Sequence, residues 1–338
     1  MIPDAKQAAV KRALHEAFGA NEYEDLRPTS GGQSSALAFR ILVRGKPYLL
    51  KIMRAEKISD PAQEFACMKT AAEAGIAPRV WYADAEDRVL ITAFVEAKRY
   101  PANMAAHIAP LLHRLHSLPH FSKPAVGSYF EAMDGLVRWL RASNLLPESA
   151  VGELFRGYDD LIRVYPRDDA ELVASHNDLK PQNMIFDGKR IWLVDWESAF
   201  LNDPYVDLAV VANFFVKDEA GEENYLKGYF GEPAGGFAPF WEYRRARFYL
   251  MRQALSMFYA ALLISFATRA GFSVDADMTT PLDFREFHRR LISGGIDTLQ
   301  PEAQVQYAKV HMNEALRNMR TRRFKDALAR VGNFNAAL

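Results

Sequence analysis

The stretch that decides the fold is His-Asn-Asp-Leu-Lys-Pro-Gln-Asn at residues 176–183, followed by Ile-Trp-Leu-Val-Asp-Trp-Glu at residues 191–197. The two stretches supply Asp178, Asn183 and Asp195 in that order, the last at the end of an apolar strand. Phosphoryl transfer from a nucleotide needs such groups, because one carboxylate orients the attacking hydroxyl while an amide oxygen and a second carboxylate hold Mg²⁺. We therefore predict Asp178 as catalytic base and Asn183 with Asp195 as metal ligands.

The remaining polar residues of this loop leave more than one interpretation open. An aspartate such as Asp178, taken alone, could equally be a turn or helix-cap residue, and only the combination with Asn183 and Asp195 favours catalysis. Lys180 is a second catalytic candidate that could approach the transferred phosphate, although a solvated lysine explains it equally well. We expect His176 to pack beneath the loop and fix its backbone by a hydrogen bond.

Length and charge restrict the class of protein. The chain has 338 residues, which predicts two domains or one domain with two lobes. Its 42 basic residues balance 42 acidic ones, so we expect neither nucleic acid nor a membrane surface as partner. The single cysteine, Cys67, and a start without a signal sequence predict a cytoplasmic protein in which Cys67 is buried. The apolar stretch 254–267 is short for a membrane span and predicts a buried helix.

The N-terminal part of the sequence predicts a small sheet. A helix over residues 4–18 ends at Gly19, and strands at 38–44 and 47–54 flank a turn at Gly45. A helix that begins at Pro61 ends at Gly75, and two further strands follow at 79–83 and 89–93. These elements predict a mixed sheet with one helix on it.

The pattern after residue 96 is mostly helical, with one short hairpin around residues 184–186 and 190–194. The fold class that we predict is α+β and bilobal. A small N-terminal β-sheet lobe covers residues 1–95, and a larger, mainly helical C-terminal lobe covers residues 96–338. Ligand sites favour the cleft between two such lobes.

Lys51 lies in the middle of a predicted strand, among apolar residues, where an unpaired charge would be costly. Glu64, on the next helix, is the natural partner, and the two would form the strand-lysine to helix-glutamate pair that positions phosphates in kinase sites. The alternative is a lysine on an edge strand, where its charge discourages aggregation.

A loop of small residues precedes the hairpin that carries Lys51. Small side chains let backbone amides approach phosphate oxygens, so the loop is a candidate phosphate-binding segment. Neither G-x-G-x-x-G nor G-x-x-x-x-G-K-[ST] is present, and the assignment depends only on the loop's place before Lys51. The predicted nucleotide-binding residues are Ser30, Gly31, Gly32, Gln33 and Ser34.

These motifs resemble the aminoglycoside phosphotransferase and choline kinase superfamily, which are small-molecule kinases with a bilobal protein-kinase-like fold. The family pattern H-[NG]-D-x-x-x-x-N, followed by [IV]-D-[WF]-E, is matched at residues 176–183 and 194–197. His-Asn-Asp-Leu and Asp-Trp-Glu look more like the choline and ethanolamine kinase branch. The resemblance implies ATP beneath the loop at 30–35, with its base near the connector Phe94-Val95-Glu96. It also implies Mg²⁺ on Asn183 and Asp195.

The same loop also looks like the catalytic loop of protein kinases. In this chain, however, Asp195 is followed by Trp196 and Glu197, not by Phe-Gly, and no Ala-Pro-Glu triplet follows. A peptide substrate is therefore not expected.

The acceptor is the least determined part of the prediction. A quaternary ammonium group would call for an aromatic cage, and Trp241 and Tyr243 are candidates because we expect them to precede the following core helix. Glu197, from the Asp-Trp-Glu motif, is a further substrate candidate. Core packing is the alternative interpretation of the aromatic residues in this region.

Charged residues could serve other acceptors. An aminoglycoside would need carboxylates, and Glu219, Glu222 and Glu223 form a cluster that a solvated loop explains equally well. The arginines at 244, 245 and 247 are predicted to form a solvated basic face.

The functional hypothesis is an ATP- and Mg²⁺-dependent kinase that phosphorylates a hydroxyl of a small metabolite, with choline or another amino alcohol ranked first. Aminoglycosides and other hydroxylated metabolites, such as sugars or homoserine, are the first alternative. An inactive, nucleotide-sensing pseudokinase is the second. The oligomeric state, monomer or homodimer, is left open.

Overall fold

The structure is a computed structural model that describes residues 1–29, 36–54, 60–124, 127–167, 171–232 and 238–337. The chain forms two compact units. The first contains Met1–Ser122 and Val173–Leu201, and the second contains Lys123–Leu172 and Asn202–Leu338. This is a different division from the predicted lobes, 1–95 and 96–338, which stay a prediction.

The first unit is built on a five-stranded sheet in the order β1-β2-β3-β5-β4. Every pair of neighbouring strands is antiparallel, so the prediction of a mixed sheet was wrong. The physical reason is the place of β5, which lies between β3 and β4 and separates the two strands that run in the same direction. The strands are β1 (Asp25–Pro28), β2 (Leu37–Val43), β3 (Lys46–Ile52), β4 (Val80–Asp84) and β5 (Val89–Ala93).

Two helices, not the single one expected, pack on this sheet. Helix α1 (Asp4–Phe18) shares one apolar core with Leu50 and the other residues on that face of β3. Side chains alternate along a strand, so Lys51 points to the opposite face, where helix α2 (Pro61–Glu73) supplies its partner. Helix α2 begins at Pro61, as the sequence predicted, and the Asp60 side chain caps its first turn.

The remaining elements of the first unit surround the two motifs. They are helix α3 (Met104–His116) and the strands β6 (Val173–Ser175), β7 (Met184–Phe186) and β8 (Ile191–Leu193). Strand β9 (Phe200–Asn202) lies at the end of the unit, which closes at Leu201. The predicted hairpin is confirmed, with Met184 opposite Leu193. Its turn is held by Asp187, which accepts hydrogen bonds of 2.8 Å from the backbone amides of Lys189 and Arg190.

The second unit is helical. Its longest helix, α8, packs against α4, α5, α6, α10 and α11, so it forms the centre of this unit. The helices are α4 (Tyr129–Ala142), α5 (Glu148–Val164), α6 (Pro204–Phe215), α7 (Glu219–Phe230), α8 (Ala238–Arg269), α9 (Phe284–Ile292), α10 (Pro301–Met319) and α11 (Arg322–Ala337).

Among the described residues, one helical stretch, Pro239–Arg269, is long and apolar enough to cross a membrane. Its most apolar window is 72% buried inside the protein, as expected for the core helix of a folded domain. Leu255 and Met257, for example, are fully covered by neighbouring side chains. The buried helix that the sequence predicted is therefore present.

The core between α1 and the sheet gives a test of this packing. Leu50 is fully buried there, so Leu50→Ala should lower the free energy of unfolding by about 2–5 kcal/mol. Leu299→Ala is the matched control, because Leu299 is 59% exposed and its truncation should change stability by less than about 0.5 kcal/mol. Urea titration followed by fluorescence measures both. Equal losses in the two variants would contradict this description of the core.

Candidate active site

His176, at the start of the loop that carries Asp178, connects this loop to the segment around Asp195. This imidazole is fully buried, and its Nε2 lies 3.0 Å from the backbone oxygen of Val194, to which it donates a hydrogen bond. Its ring centroid is 4.8 Å from that of Trp196. His176 thus connects the loop at 176–183 to the segment that carries Asp195, in the structural role that the sequence predicted.

Asn177 makes a second connection between the same two segments. Its side-chain amide donates a hydrogen bond of 2.9 Å to the backbone oxygen of Ser198. Its backbone is left-handed, with a φ of 66°, a conformation that asparagine tolerates better than most residues. An asparagine at this position therefore both adopts the left-handed backbone and donates the hydrogen bond to Ser198.

Asp178 lies at the centre of a small polar cluster. Its Oδ2 accepts hydrogen bonds from Lys180 Nζ at 2.7 Å and from Asn183 Nδ2 at 2.8 Å. Burial raises the pKa of Asp178, because the charged form loses hydration, while Lys180 and then His176 act in the opposite direction. A raised pKa makes the carboxylate a better proton acceptor, and 21% of the side chain stays exposed to meet a substrate.

Lys51 lies between two carboxylates. Its Nζ is 2.9 Å from Glu64 Oε1 and 2.8 Å from Asp195 Oδ1. The predicted pair with Glu64 is present, and Asp195 is a partner that the sequence did not indicate. Because β3 is paired on both sides, the alternative of an edge-strand lysine fails. Burial alone would lower the Lys51 pKa, but Asp195 and Glu64 outweigh it and raise that pKa, so the ammonium stays charged.

The backbone of Asp195 is left-handed, with φ 65° and ψ 70°. A residue with a Cβ pays roughly 1–2 kcal/mol for this conformation, which persists only where the surroundings impose it. The flanking backbone is held by two hydrogen bonds of 3.0 Å, from Val194 to the Asn183 oxygen and from Leu193 to the Ile76 oxygen. Asn183 and Asp195 are thereby brought to neighbouring positions.

The donors at these two positions fit Mg²⁺. An amide oxygen and a carboxylate are hard oxygen ligands, and Mg²⁺ is usually bound by one or two carboxylates with water and phosphates completing its octahedron. The chemistry of the donor set therefore suits a metal shared with a phosphate ligand.

Helix α2 is attached to the segment after Asp195 by two side chains that the sequence analysis missed. Gln63 Nε2 donates a hydrogen bond of 3.1 Å to the Ala199 oxygen, and Cys67 Sγ lies 3.7 Å from the same atom. Burial raises the pKa of Cys67 to about 11, which keeps the thiol protonated and inert. The prediction that Cys67 is a buried apolar residue is confirmed.

The other predicted nucleotide-binding residues lie in two segments, the loop before β2 and the connector after β5. The loop of Ser30, Gly31, Gly32, Gln33 and Ser34 lies outside the described residues. The connector Phe94-Val95-Glu96 follows β5 directly, and the Phe94 ring lies 5.5 Å from the guanidinium of Arg40. The roles of both segments stay predictions, as does that of Glu197, which lies in the short 3₁₀ turn after Asp195.

The expected position of Trp241 and Tyr243 was wrong. Helix α8 begins at Ala238, so both residues lie inside the helix and not before it. Both are buried, and the Tyr243 ring stacks on Phe334 with 4.0 Å between centroids. A cation cage needs an accessible ring face, so this stacking removes one face of Tyr243 from use.

The charged clusters of the second unit also differ from expectation. Glu222, predicted to lie in a solvated loop or an acceptor site, is 1% exposed in α7 and bonds Arg323, while Glu223 pairs with Lys227. Arg247, predicted to be on a solvated face, is buried and pairs with Asp203 at 2.8 Å. Tertiary pairing of opposite charges, which local sequence does not reveal, explains these corrections.

Protein-kinase-like phosphotransferases are the class that this fold and these side chains define. The sequence profile of the phosphotransferase enzyme family, APH, matches residues 25–249. The chain belongs to this family, which agrees with the predicted class of phosphotransferase.

Three comparisons describe the relatives. Protein LicA of Haemophilus influenzae is 26% identical over 180 residues, which cover 50% of this chain and 52% of that protein. The match thus spans about half the length of that relative. A choline/ethanolamine kinase family protein from Mesorhizobium loti superposes with a TM-score of 0.68 at 21% identity, covering 97% of this chain and 99% of that one. The structure of spectinomycin phosphotransferase in complex with ADP and spectinomycin superposes with a TM-score of 0.57 at 12% identity. This match covers 92% of this chain and 98% of that one.

The structural likenesses confirm the predicted fold class, and the family match agrees with the suspected superfamily.

The cluster around Asp178 predicts how its proton affinity responds to mutation. Lys180→Met should raise the Asp178 pKa further, because the ammonium lowers that pKa by its charge and its hydrogen bond. The midpoint of the Asp178 carboxyl ¹³C titration should therefore move to higher pH. Lys189→Met, which removes an exposed lysine from the neighbouring hairpin turn, should leave the midpoint unchanged. A lower or unchanged midpoint in Lys180→Met would refute the assigned interaction.

The Lys51 cluster predicts a non-additive effect on stability. Lys51→Met leaves the buried Glu64 carboxylate without its lysine and should cost about 3–5 kcal/mol of unfolding free energy. Adding Glu64→Leu should recover part of this loss, since the uncompensated charge is removed as well. Urea unfolding of the two single variants and the double variant measures the coupling. Strictly additive losses would show that the two groups do not interact.

Proposed function

We propose that the protein is an ATP- and Mg²⁺-dependent kinase that transfers the γ-phosphate to a hydroxyl of a small metabolite, with choline or another amino alcohol as acceptor. The observation that carries this proposal is the double contact of the Lys51 ammonium with Glu64 and Asp195. This pairing assembles a phosphate-binding lysine beside a predicted metal ligand. An assembled pair of this kind is a requirement of protein-kinase-like catalysis.

In this proposal Asp178 orients the acceptor hydroxyl and accepts its proton. Its carboxylate is held by Lys180 and Asn183, so its position does not depend on the substrate. The raised pKa moves its proton affinity closer to neutrality, where a general base is most effective. Lys180 lies against this carboxylate and can also offer positive charge to a phosphoryl group that approaches it.

Lys51 would hold the phosphates of the nucleotide, and Glu64 would keep the lysine in place. Asn183 and Asp195 would hold Mg²⁺, whose charge offsets the negative charge that develops during phosphoryl transfer. Because Lys51 keeps its proton, the ammonium is available to phosphates throughout the neutral pH range.

The choice of acceptor depends on the relatives and on the chemistry of the second unit. The Mesorhizobium loti structure belongs to the choline/ethanolamine kinase family, which supports an amino alcohol. The spectinomycin phosphotransferase keeps an aminoglycoside as the alternative. Three carboxylates, Glu219, Glu222 and Glu223, were considered for such an acceptor. Glu222 is buried and bonds Arg323, Glu223 pairs with Lys227, and Glu219 lies 3.6 Å from Arg323. That pairing favours the smaller acceptor.

An inactive nucleotide sensor is the second alternative. Such proteins usually lack one of the polar catalytic groups, whereas this chain keeps Lys51, Asp178, Asn183 and Asp195. This complete set of polar groups supports an active enzyme.

The test is ADP release with Mg²⁺ and ATP across a panel of choline, ethanolamine, aminoglycosides, homoserine and sugars. Asp178→Asn should lower turnover with the preferred acceptor by about 10²–10⁴-fold, because the amide cannot accept the proton. Asp160→Asn is the matched control, since that aspartate is exposed and pairs only with Arg163 in the described contacts; it should keep full turnover.

Three results would count against the proposal. Full turnover in Asp178→Asn would remove the base from the mechanism. Turnover with an aminoglycoside but not with amino alcohols would transfer the substrate assignment to the alternative. A rise in melting temperature with Mg²⁺ and ATP, without ADP release from any acceptor, would favour the nucleotide sensor.

A further inference from the structure

Tyr100 lies in the segment between β5 and α3, and its hydroxyl reaches the loop that carries the predicted metal ligand Asn183. The hydroxyl is within hydrogen-bonding distance of two backbone oxygens, those of Pro181 and Met184. Pro181 begins the 3₁₀ turn that ends at Asn183, and Met184 follows directly. The two carbonyls therefore flank Asn183 on either side.

The same segment is attached to the hairpin at a second point. The Lys98 amide donates a hydrogen bond of 2.7 Å to the Phe186 oxygen at the end of β7. Residues 98–100 therefore run beside this first strand of the hairpin. Burial raises the pKa of Tyr100 to about 12, which keeps the hydroxyl protonated and able to donate at neutral pH. Its single proton can be donated to only one of the two carbonyls at a time.

The orientation of the Asn183 side chain depends on this turn. Asn183 Nδ2 lies 2.8 Å from both the backbone oxygen and the Oδ2 atom of Asp178. A backbone oxygen can only accept a hydrogen bond, and so can the oxygen of a charged carboxylate. This contact assigns the nitrogen to the Asp178 side, so Oδ1 is the atom left to face a metal. A shift of the turn would move Oδ1, and metal sites are sensitive to small displacements of their ligands.

We propose that Tyr100 is a positioning residue, which sets the metal-binding geometry of Asn183 by holding the carbonyls on both sides of it. The inference rests on the proposed function, because it requires Asn183 to be a ligand of Mg²⁺. Tyr100 touches neither nucleotide nor acceptor in this role and acts only through the turn.

The test is Tyr100→Phe, which removes the hydroxyl and keeps the ring. Binding of ADP is measured by calorimetry across a Mg²⁺ titration, so no acceptor is needed. The half-saturating Mg²⁺ concentration should rise about fivefold, the effect expected from one lost hydrogen bond. Binding of ADP without Mg²⁺ should not change, and saturating Mg²⁺ should restore wild-type affinity.

Tyr225→Phe is the matched control. Its hydroxyl also donates to a backbone oxygen, that of Leu208 at 3.2 Å, and it is fully buried in the second unit. The two variants should lose a similar amount of thermal stability, about 2–4 °C, but only Tyr100→Phe should change the Mg²⁺ dependence. This difference separates a positioning role from a merely structural one.

Two results would overturn the inference while leaving the proposed function intact: a wild-type Mg²⁺ dependence in Tyr100→Phe, or an equal rise in Tyr225→Phe. The Asn183→Ala variant tests whether Asn183 is a metal ligand at all, as the proposed function requires. If that variant binds ADP with the same Mg²⁺ dependence as the wild type, Asn183 is not a metal ligand. The metal assignment in the proposed function then fails, and the role of Tyr100 fails with it.

Discussion

The contact on which the first unit depends is the Lys51 ammonium held between Glu64 and Asp195. An isolated charge at a site as buried as this would be strongly disfavoured, so the two carboxylates must be present for β3 to carry a lysine there. The three groups come from a strand, the helix that follows it and the segment after β8, where Asp195 lies 144 residues further along the chain than Lys51. Gln63 adds a neutral connection between the same helix and the backbone at Ala199, so α2 is fixed relative to Asp195 by more than charge.

The catalytic loop and the Asp195 segment hold one another in conformations that neither would adopt alone. Asn177 and Asp195 both have left-handed backbones, and conformations of this kind persist only where surrounding contacts determine them. Here those contacts are reciprocal. Val194 receives a hydrogen bond from His176 through its oxygen and donates one to Asn183 through its amide. Strain at a predicted metal ligand is thus offset by hydrogen bonds that also set the distance between Asn183 and Asp195.

The parts of the structure that the sequence predicted well are those governed by local signals. Pro61 marks the start of α2, and alternation along β3 places Lys51 on the face opposite Leu50, where the cost of an unpaired charge leads directly to Glu64. Predictions that required tertiary information failed. Nothing local shows that β5 inserts between β3 and β4, or that Arg247 is buried against Asp203. The contact of Lys51 with Asp195 also required tertiary information, since Asp195 lies on a segment remote in sequence.

Charge pairing in the second unit bears on the acceptor. Glu222 is almost fully buried and bonds Arg323, with Arg252 at 3.5 Å as a further partner. An acceptor with several amines could use this carboxylate only by displacing an arginine, which would leave a guanidinium without its counterion in a poorly hydrated place. An amino alcohol has one positive charge and needs fewer counterions. Glu222 is therefore better suited to its present arginine partners than to a polycation, and this favours the smaller acceptor.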